Sequence, residues 1–315
     1  MYTTETQVNE FICEYLSSRV VIETSLRAIL NRALEYEKVY QKPFYDFTRD
    51  EALTMFKEAG SISATSLLNS CLILKHASNF LLFTKGVKAS NIYETITKDD
   101  LKLCVDTNKK KQMIITREQL IEIEGELINY TDRAILELLF RGVGCTDWAN
   151  ELTFLSHEQI SRQDMCIYFK NGKKVEIDEY CYHMLMEAAK EDELLSYNSS
   201  RVSKVIPEGV IFKVRHNAIT VNNDIRDQKS KERRFRWVQR RIEILNSYLG
   251  LHLTPSSIID SGLLYQIQKG IALNDLPFRQ YIATPEAREL AQQYGIYSKF
   301  YQVTLVDKFK SYFEK

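Results

Sequence analysis

The chain has 315 residues, 44% hydrophobic and 27% charged, and its 42 Lys/Arg are balanced by 42 Asp/Glu. That length suggests two domains with cores of their own, and the composition is that of a globular protein rather than a disordered or fibrous one. Zero net charge excludes a protein that is basic all over, so any local concentration of one sign becomes informative. No apolar run approaches the ~18 residues of a membrane span. No cleavable signal is expected, since Met1 leads straight into polar, helix-like sequence. The six cysteines (Cys13, Cys71, Cys104, Cys145, Cys166, Cys181) show no C-x-x-C pair and no histidine at ligand spacing. The expectation is a cytoplasmic protein without metal or cofactor, whose cysteines are small buried hydrophobes.

The first part of the chain reads as four helices. Thr6–Leu16 is short and amphipathic, and 22–40 has apolar residues at helical spacing (Leu26, Ile29, Leu30, Ala33, Leu34). Thr48 and Glu51 form a capping box that opens a third helix to about Ala59. Ser63–Phe83 starts with small polar residues, among them Ser63, Thr65 and Asn69, and becomes apolar in its second half. Residues 1–86 are therefore expected to be one helical domain. A linker is expected at 87–112, with a short helix near Thr97–Cys104 and a polar run, 106–112, that has nothing to bury.

The remainder, 113–315, is mixed. Thr116 and Gln119 make a second capping box, Thr131–Phe140 reads as a buried helix ending at the glycines Gly142 and Gly144, and a further helix is expected over 148–154. Met165–Phe169 and Lys174–Ile177 flank Asn171-Gly172, a strong two-residue hairpin signal. A helix over Glu179–Glu191 follows, then a Ser/Asn-rich loop and a third strand at 210–214.

The segment 226–241 carries eight Lys/Arg against Asp227 and Glu232, a local charge of +6, with Phe235 and Trp237 interleaved. Val238, Ile242, Leu245 and Leu249 continue it as an amphipathic helix, so a basic face is expected to neutralise phosphates. Thr254-Pro255 then starts another helix. The last helices are expected at Thr284–Gln293 and Val303–Phe313. The sequence contains no glycine-rich phosphate loop, no H-E-x-x-H and no G-x-S-x-G. Acid pairs such as Asp99/Asp100 and Glu122/Glu124/Glu126 read as solvated helix faces.

This order of pieces resembles a tyrosine recombinase (phage integrase). The resemblance spans nearly the whole chain and implies a mainly α fold with a small β-sheet (α+β), in which a helical core-binding domain precedes a catalytic-like domain. Its motifs, however, have lost their chemistry. The family's first arginine, three residues before a Glu-Leu pair, falls on Trp148 ahead of Glu151-Leu152. Its lysine matches Lys173 or Lys174 on the hairpin. At the Thr254-Pro255 helix, the expected His-x-x-Arg-His falls on Ser256, Ile259 and Asp260. Tyr294, Tyr297 and Tyr301 are candidates for the nucleophile's place.

Phosphoryl transfer through a phosphotyrosine needs guanidinium groups on the equatorial oxygens. Neither Trp148 nor Ile259 supplies one, so the resemblance implies a DNA clamp without catalysis and no enzyme. It further implies a prophage repressor that binds double-stranded operator DNA and maintains lysogeny, with self-association on DNA and a phage-encoded regulatory partner. Arg233, Arg234, Arg236, Arg240 and Arg241 are expected to hold phosphates, and Lys229, Lys231, Lys173 and Lys174 to extend the track. Arg27, Ser63, Thr65 and Asn69 are the candidates for reading bases. The rival readings are an active, diverged recombinase and an adaptor whose basic face meets an acidic protein.

Overall fold

Three threonines that the sequence nominates as caps, Thr48, Thr116 and Thr254, each accept a backbone N–H at the start of a helix. Each satisfies one of the donors that a helix start leaves unpaired. The computed structural model describes residues 3–18, 23–61, 63–84, 86, 90–147, 149–197, 201–205, 209–213 and 228–314, without the side chains of 18, 110, 149, 150 and 228–233. It divides into two compact units, Met1–Lys111 and Gln112–Lys315.

The N-terminal unit contains α1 (Glu5–Ser18), α2 (Glu23–Tyr40), α3 (Arg49–Glu58), α4 (Ala64–Thr84), α5 (Lys98–Leu103) and most of α6 (Thr107–Gln112). Leu26, Leu30 and Ala33 of α2 pack with Ala52, Met55 and Phe56 of α3 and with Leu67, Cys71 and Leu74 of α4. The expected linker at 87–112 is corrected here. Tyr93, Ile96, Leu101 and Cys104 lie in this same core, and the Tyr93 hydroxyl donates to Phe44 O at 3.1 Å. The polar run that suggested a linker marks only the end of the unit, and it is itself helical, because Lys and Gln are good helix formers.

In the C-terminal unit, α7 (Arg117–Glu126) and α8 (Tyr130–Phe140) are followed by one π-helical turn, Ala149–Thr153, where a longer helix was expected. β1 (Ile160–Ser161), β2 (Cys166–Tyr168) and β3 (Lys174–Glu176) form an antiparallel sheet in which Ile167 pairs with Val175. Then come α9 (Glu179–Lys190) and a second hairpin, β4 (Glu193–Leu195) with β5 (Val202–Lys204), in the stretch read as loop. The expected strand at 210–214 is not formed in its described part. Ile211 and Phe212 are buried in an irregular segment, where Ile211 N donates to Leu155 O at 2.7 Å. Val214 lies outside the described residues.

The basic helix is α10 (Gln228–Leu249), followed by α11 (Pro255–Asn274), α12 (Phe278–Tyr281), α13 (Pro285–Gln293) and α14 (Tyr301–Phe313). α8 is the centre of the unit: Ala134, Ile135, Leu136, Leu138 and Leu139 are all buried. α11 crosses it at Gly262, where a Cβ would sit inside the Phe140 carbonyl. α14 packs on its own unit through Tyr301, Leu305 and Phe309, and Lys308 binds Asp260 of α11 at 2.7 Å. Among the described residues, no helix is long and apolar enough to cross a membrane.

Candidate nucleic-acid interface

The basic helix divides its arginines between two faces. Arg234, Val238, Arg241, Ile242 and Leu245 recur at helical spacing and all turn inward. Arg234 donates to the carbonyls of Thr153 and Phe212, both at 3.3 Å, and stacks 4.9 Å over the Phe154 ring. Arg241 grips Asp132 of α8 through both ends of its guanidinium, with Nε to Oδ1 at 2.7 Å. Asp132 also accepts from the Tyr197 hydroxyl at 2.7 Å and from Asn129 at 3.0 Å. Burial opposes the charge on Arg241, but the Asp132 carboxylate outweighs it and holds the pKa above the ordinary arginine value. The expectation that Arg234 and Arg241 hold phosphates is therefore corrected. Both are committed inside the fold, because a guanidinium without water must have its donors filled by protein.

Arg236 and Phe235 turn outward, and Arg240 is 71% exposed, with only a loose pairing to Glu243 at 2.9 Å. Lys229, Lys231 and Arg233 fall on side chains outside the described residues.

The hairpin repeats this division in two adjacent lysines. Lys174 is exposed, with its ammonium 5.8 Å over the Tyr168 ring. Lys173 is 7% exposed and is bound to Glu151, itself 1% exposed, at 2.7 Å. Its ammonium also reaches Gly142 O at 2.6 Å and Cys145 Sγ at 3.2 Å. Glu151 further accepts from Gly144 N at 2.8 Å and Asn171 at 3.2 Å. Of the two lysines that the resemblance nominates, Lys173 is thus paired with a buried carboxylate, whereas Lys174 faces outward. Lys173 is corrected from a phosphate contact to an internal tie between hairpin and glycine loop.

The three tyrosines are equally distinct. Tyr294 is buried, donates to Phe140 O at 2.8 Å, and supports Gly142, where a Cβ would lie 3.0 Å from its ring. Gly142 has φ of +79°, so a side chain there would be strained by the backbone and crowded by the ring. Burial raises the pKa of Tyr294, opposite to what a nucleophile needs. Tyr301 is buried in the α14 core. Tyr297 is 60% exposed, with its hydroxyl 2.9 Å from Thr146 Oγ1. Ile259 is half-buried, Asp260 is paired with Lys308, and Ser256 is exposed. Trp148 lies outside the described residues.

Sequence reading missed the acids beneath this site. Glu124, read as part of a solvated face, is fully buried, as are Glu137 and Asp132. Glu137 binds both Arg117 and Arg141, and the Tyr180 hydroxyl donates to Glu124 at 2.9 Å. Burial and then the neighbouring Glu137 raise the pKa of Glu124, keeping it protonated well above the usual glutamate range. The cysteine expectation also needs amending: Cys71, Cys104, Cys166 and Cys181 are buried, but Cys13 is exposed and Cys145 partly so.

In the N-terminal unit, Thr65 and Asn69 lie exposed on α4, and Ser63 Oγ accepts from Ser66 N at 3.4 Å just before it. Arg27 is exposed but engaged by Glu23 at 2.8 Å and Asn9 at 2.9 Å. Among the described residues, no cluster of His, Cys, Asp or Glu is arranged to hold a metal.

The family described as "MrpR, C-terminal catalytic domain" matches residues 114–312. The chain belongs to the MrpR family. A relative of this chain is the SPbeta prophage-derived uncharacterized protein YopR of Bacillus subtilis (strain 168), 25% identical over 291 residues, covering 87% of this chain and 86% of that one. Among solved structures, a lambda integrase (75–356) dimer bound to a COC' core site is similar at 13% identity and a TM-score of 0.42, covering 94% of this chain and 97% of that one. The Tn1549 transposon integrase in complex with transposon right end DNA is similar at 14% identity and a TM-score of 0.45, covering 96% and 94%. Buried helix, glycine loop, lysine hairpin, basic helix and Thr-Pro helix follow one another in this chain in that order.

Proposed function

We propose that this MrpR-family protein is a sequence-specific DNA-binding regulator, a prophage repressor that maintains lysogeny on a recombinase scaffold that no longer cuts. The single observation that carries the loss of catalysis is that Trp148 and Ile259 stand at the places of the two arginines, so neither supplies a guanidinium to the equatorial oxygens. The Lys173–Glu151 bond adds that one of the two candidate lysines is tied inside the fold. DNA binding is supported by what remains outward, Arg236, Arg240 and Lys174, with Arg233, Lys229 and Lys231 as further contributors from the same helix. Thr65 and Asn69 on α4, with Ser63 and Arg27, are the residues we assign to base reading in the N-terminal unit. The prophage-derived relative supports the setting. Operator DNA in the cytoplasm, a second copy on that DNA and a phage-encoded regulatory partner complete the proposal.

The test is retention of fragments of the protein's own genome across a salt series. A few fragments held at physiological salt and released steeply as salt rises are expected. Equal weak retention of all fragments would reduce the reading to unspecific electrostatics, and no retention would give the basic face to a protein partner. One observation favours the rival recombinase reading: Tyr297 is exposed beside Thr146 on the loop that Lys173 reaches. On nicked DNA we expect no covalent adduct; an adduct lost in Tyr297→Phe would establish the rival.

A further inference from the structure

The N-terminal unit holds a recess of about 310 Å³ between α2, α3 and α4. Its floor is apolar, with Met55, Phe56 and Leu74 all buried, and its rim is polar, with Ser66, Ser70 and Arg32. Volume of this order is that of a small-molecule site, where apolar lining gives affinity and a few polar groups give orientation. The Ser70 hydroxyl is occupied, donating to Ser66 O at 3.1 Å. Neither the Ser66 hydroxyl nor the Arg32 guanidinium has a hydrogen-bond or ion-pair partner among the described residues. Arg27, five residues earlier on the same helix, is held by Glu23 and Asn9. Arg32 has no such ion pair among the described residues; it is exposed at the mouth of the apolar recess, on the side of Tyr36, whose hydroxyl donates to Glu58.

We infer that this recess binds a small amphiphilic monocarboxylate. An aryl or medium-chain acyl body fills the apolar floor, the carboxylate meets Arg32 in a two-pronged contact, and Ser66 donates to it. The site also has a consequence for α4. Ser66 and Ser70 each follow directly on Thr65 and Asn69, the residues assigned to base reading, so a ligand that braces the inner side of α4 fixes the pitch of its outer side. Such a ligand changes DNA affinity by the ratio of its affinities for the two settings of the helix. Only this second consequence rests on the function proposed above.

The test uses the full-length protein without DNA and four probes in calorimetric titrations: 3-phenylpropanoate and octanoate, each against its matched amide. Saturable binding of at least one carboxylate, at least tenfold tighter than its amide, is expected. Arg32→Gln, on an exposed side chain, removes that preference while circular dichroism stays unchanged. Ser70→Leu fills the recess and abolishes binding of both forms. The site is refuted by three results: no saturable binding of either carboxylate, equal binding of acid and amide, or an unchanged preference in Arg32→Gln. Which carboxylate binds separates an aryl from an acyl ligand. The titration is then joined to the genomic fragments. A threefold or larger shift in their affinity at saturating carboxylate is expected, and an unchanged affinity with the ligand bound overturns the coupling. If no fragment is retained at all, the DNA reading fails while the ligand site stands on the calorimetry.

Discussion

Cations turned into the C-terminal unit and cations turned out of it come from the same short segments and do opposite work. Lys173 and Lys174 are neighbours, as are Arg240 and Arg241, yet one of each pair is sealed against a carboxylate and the other faces water. The inner set ties the unit together: Arg241 joins α10 to α8, Arg234 joins α10 to the π-helical turn, and that turn carries Glu151, which holds Lys173 and the hairpin. The outer set makes few internal contacts and is available to a polyanion. A count of charges along the sequence sees one basic segment. The fold contains a basic surface laid over an ionic frame.

The largest test of this division is Asp132→Ala. It leaves the Arg241 charge buried without its partner, and a loss of about 3–5 kcal/mol is expected by urea denaturation. Replacing both residues with leucine should recover part of that loss, since no charge is then left buried, while the Tyr197 hydroxyl and Asn129 still lose their acceptor. If Asp132→Ala leaves stability unchanged, the inner set is not a frame. The outer set is broken by Arg236→Glu with Lys174→Glu. Denaturation curves should not move, whereas the slope of log affinity for DNA against log salt should fall by about two.

Glu124→Gln comes next and acts through pH. The folded pKa of Glu124 is raised above its ordinary 4.5. The folded state therefore holds a proton that the unfolded state has released, and stability falls as pH climbs from about 4.5 into the alkaline range. Glutamine keeps a neutral side chain at every pH, so that slope should flatten in denaturation series taken at several pH values. A slope as steep as in the native chain would mean that Glu124 is ionised. The smallest effect belongs to Arg240→Ala. Its exposed pairing with Glu243 is worth at most about 1 kcal/mol, so thermal unfolding should scarcely change.

Much of the fold was legible because it is written in local chemistry. Thr48, Thr116 and Thr254 announce helix starts, Asn171-Gly172 announces the hairpin, and the period of Leu26, Leu30 and Ala33 announces a buried face. The second hairpin was not legible. β4 and β5 have three residues each, mostly exposed, with neither an alternation nor a turn signal long enough to read. Residues 91–104 were read as linker since their four core residues are separated by polar ones and belong to no long element.

At the site, the position of the hairpin lysine was legible and its fate was not. Burial of Glu151 depends on the π-helical turn, which has no sequence signature of its own. One signal of burial is nevertheless present in the basic helix. Arg234, Val238, Arg241 and Leu245 share a single helical face, and an arginine on an apolar stripe is a candidate for a buried ion pair, with an acid on a neighbouring buried helix as its partner. Asp132 and Glu137, both within the apolar α8, fit that description.

The crossing of α8 and α11 at Gly262 has one more implication. The two helix backbones touch there with no room for a methyl group, so alanine would act as a wedge beside the elements that carry Asp132, Glu137 and Tyr294. Folded proteins have only a few kcal/mol to spare, and overpacking of about 1–3 kcal/mol removes a good part of it. Gly262→Ala should therefore yield a heat-labile protein, intact in the cold and unfolded on warming. In a lysogen, under the function proposed here, that one methyl group would make the dormancy of the prophage a matter of growth temperature.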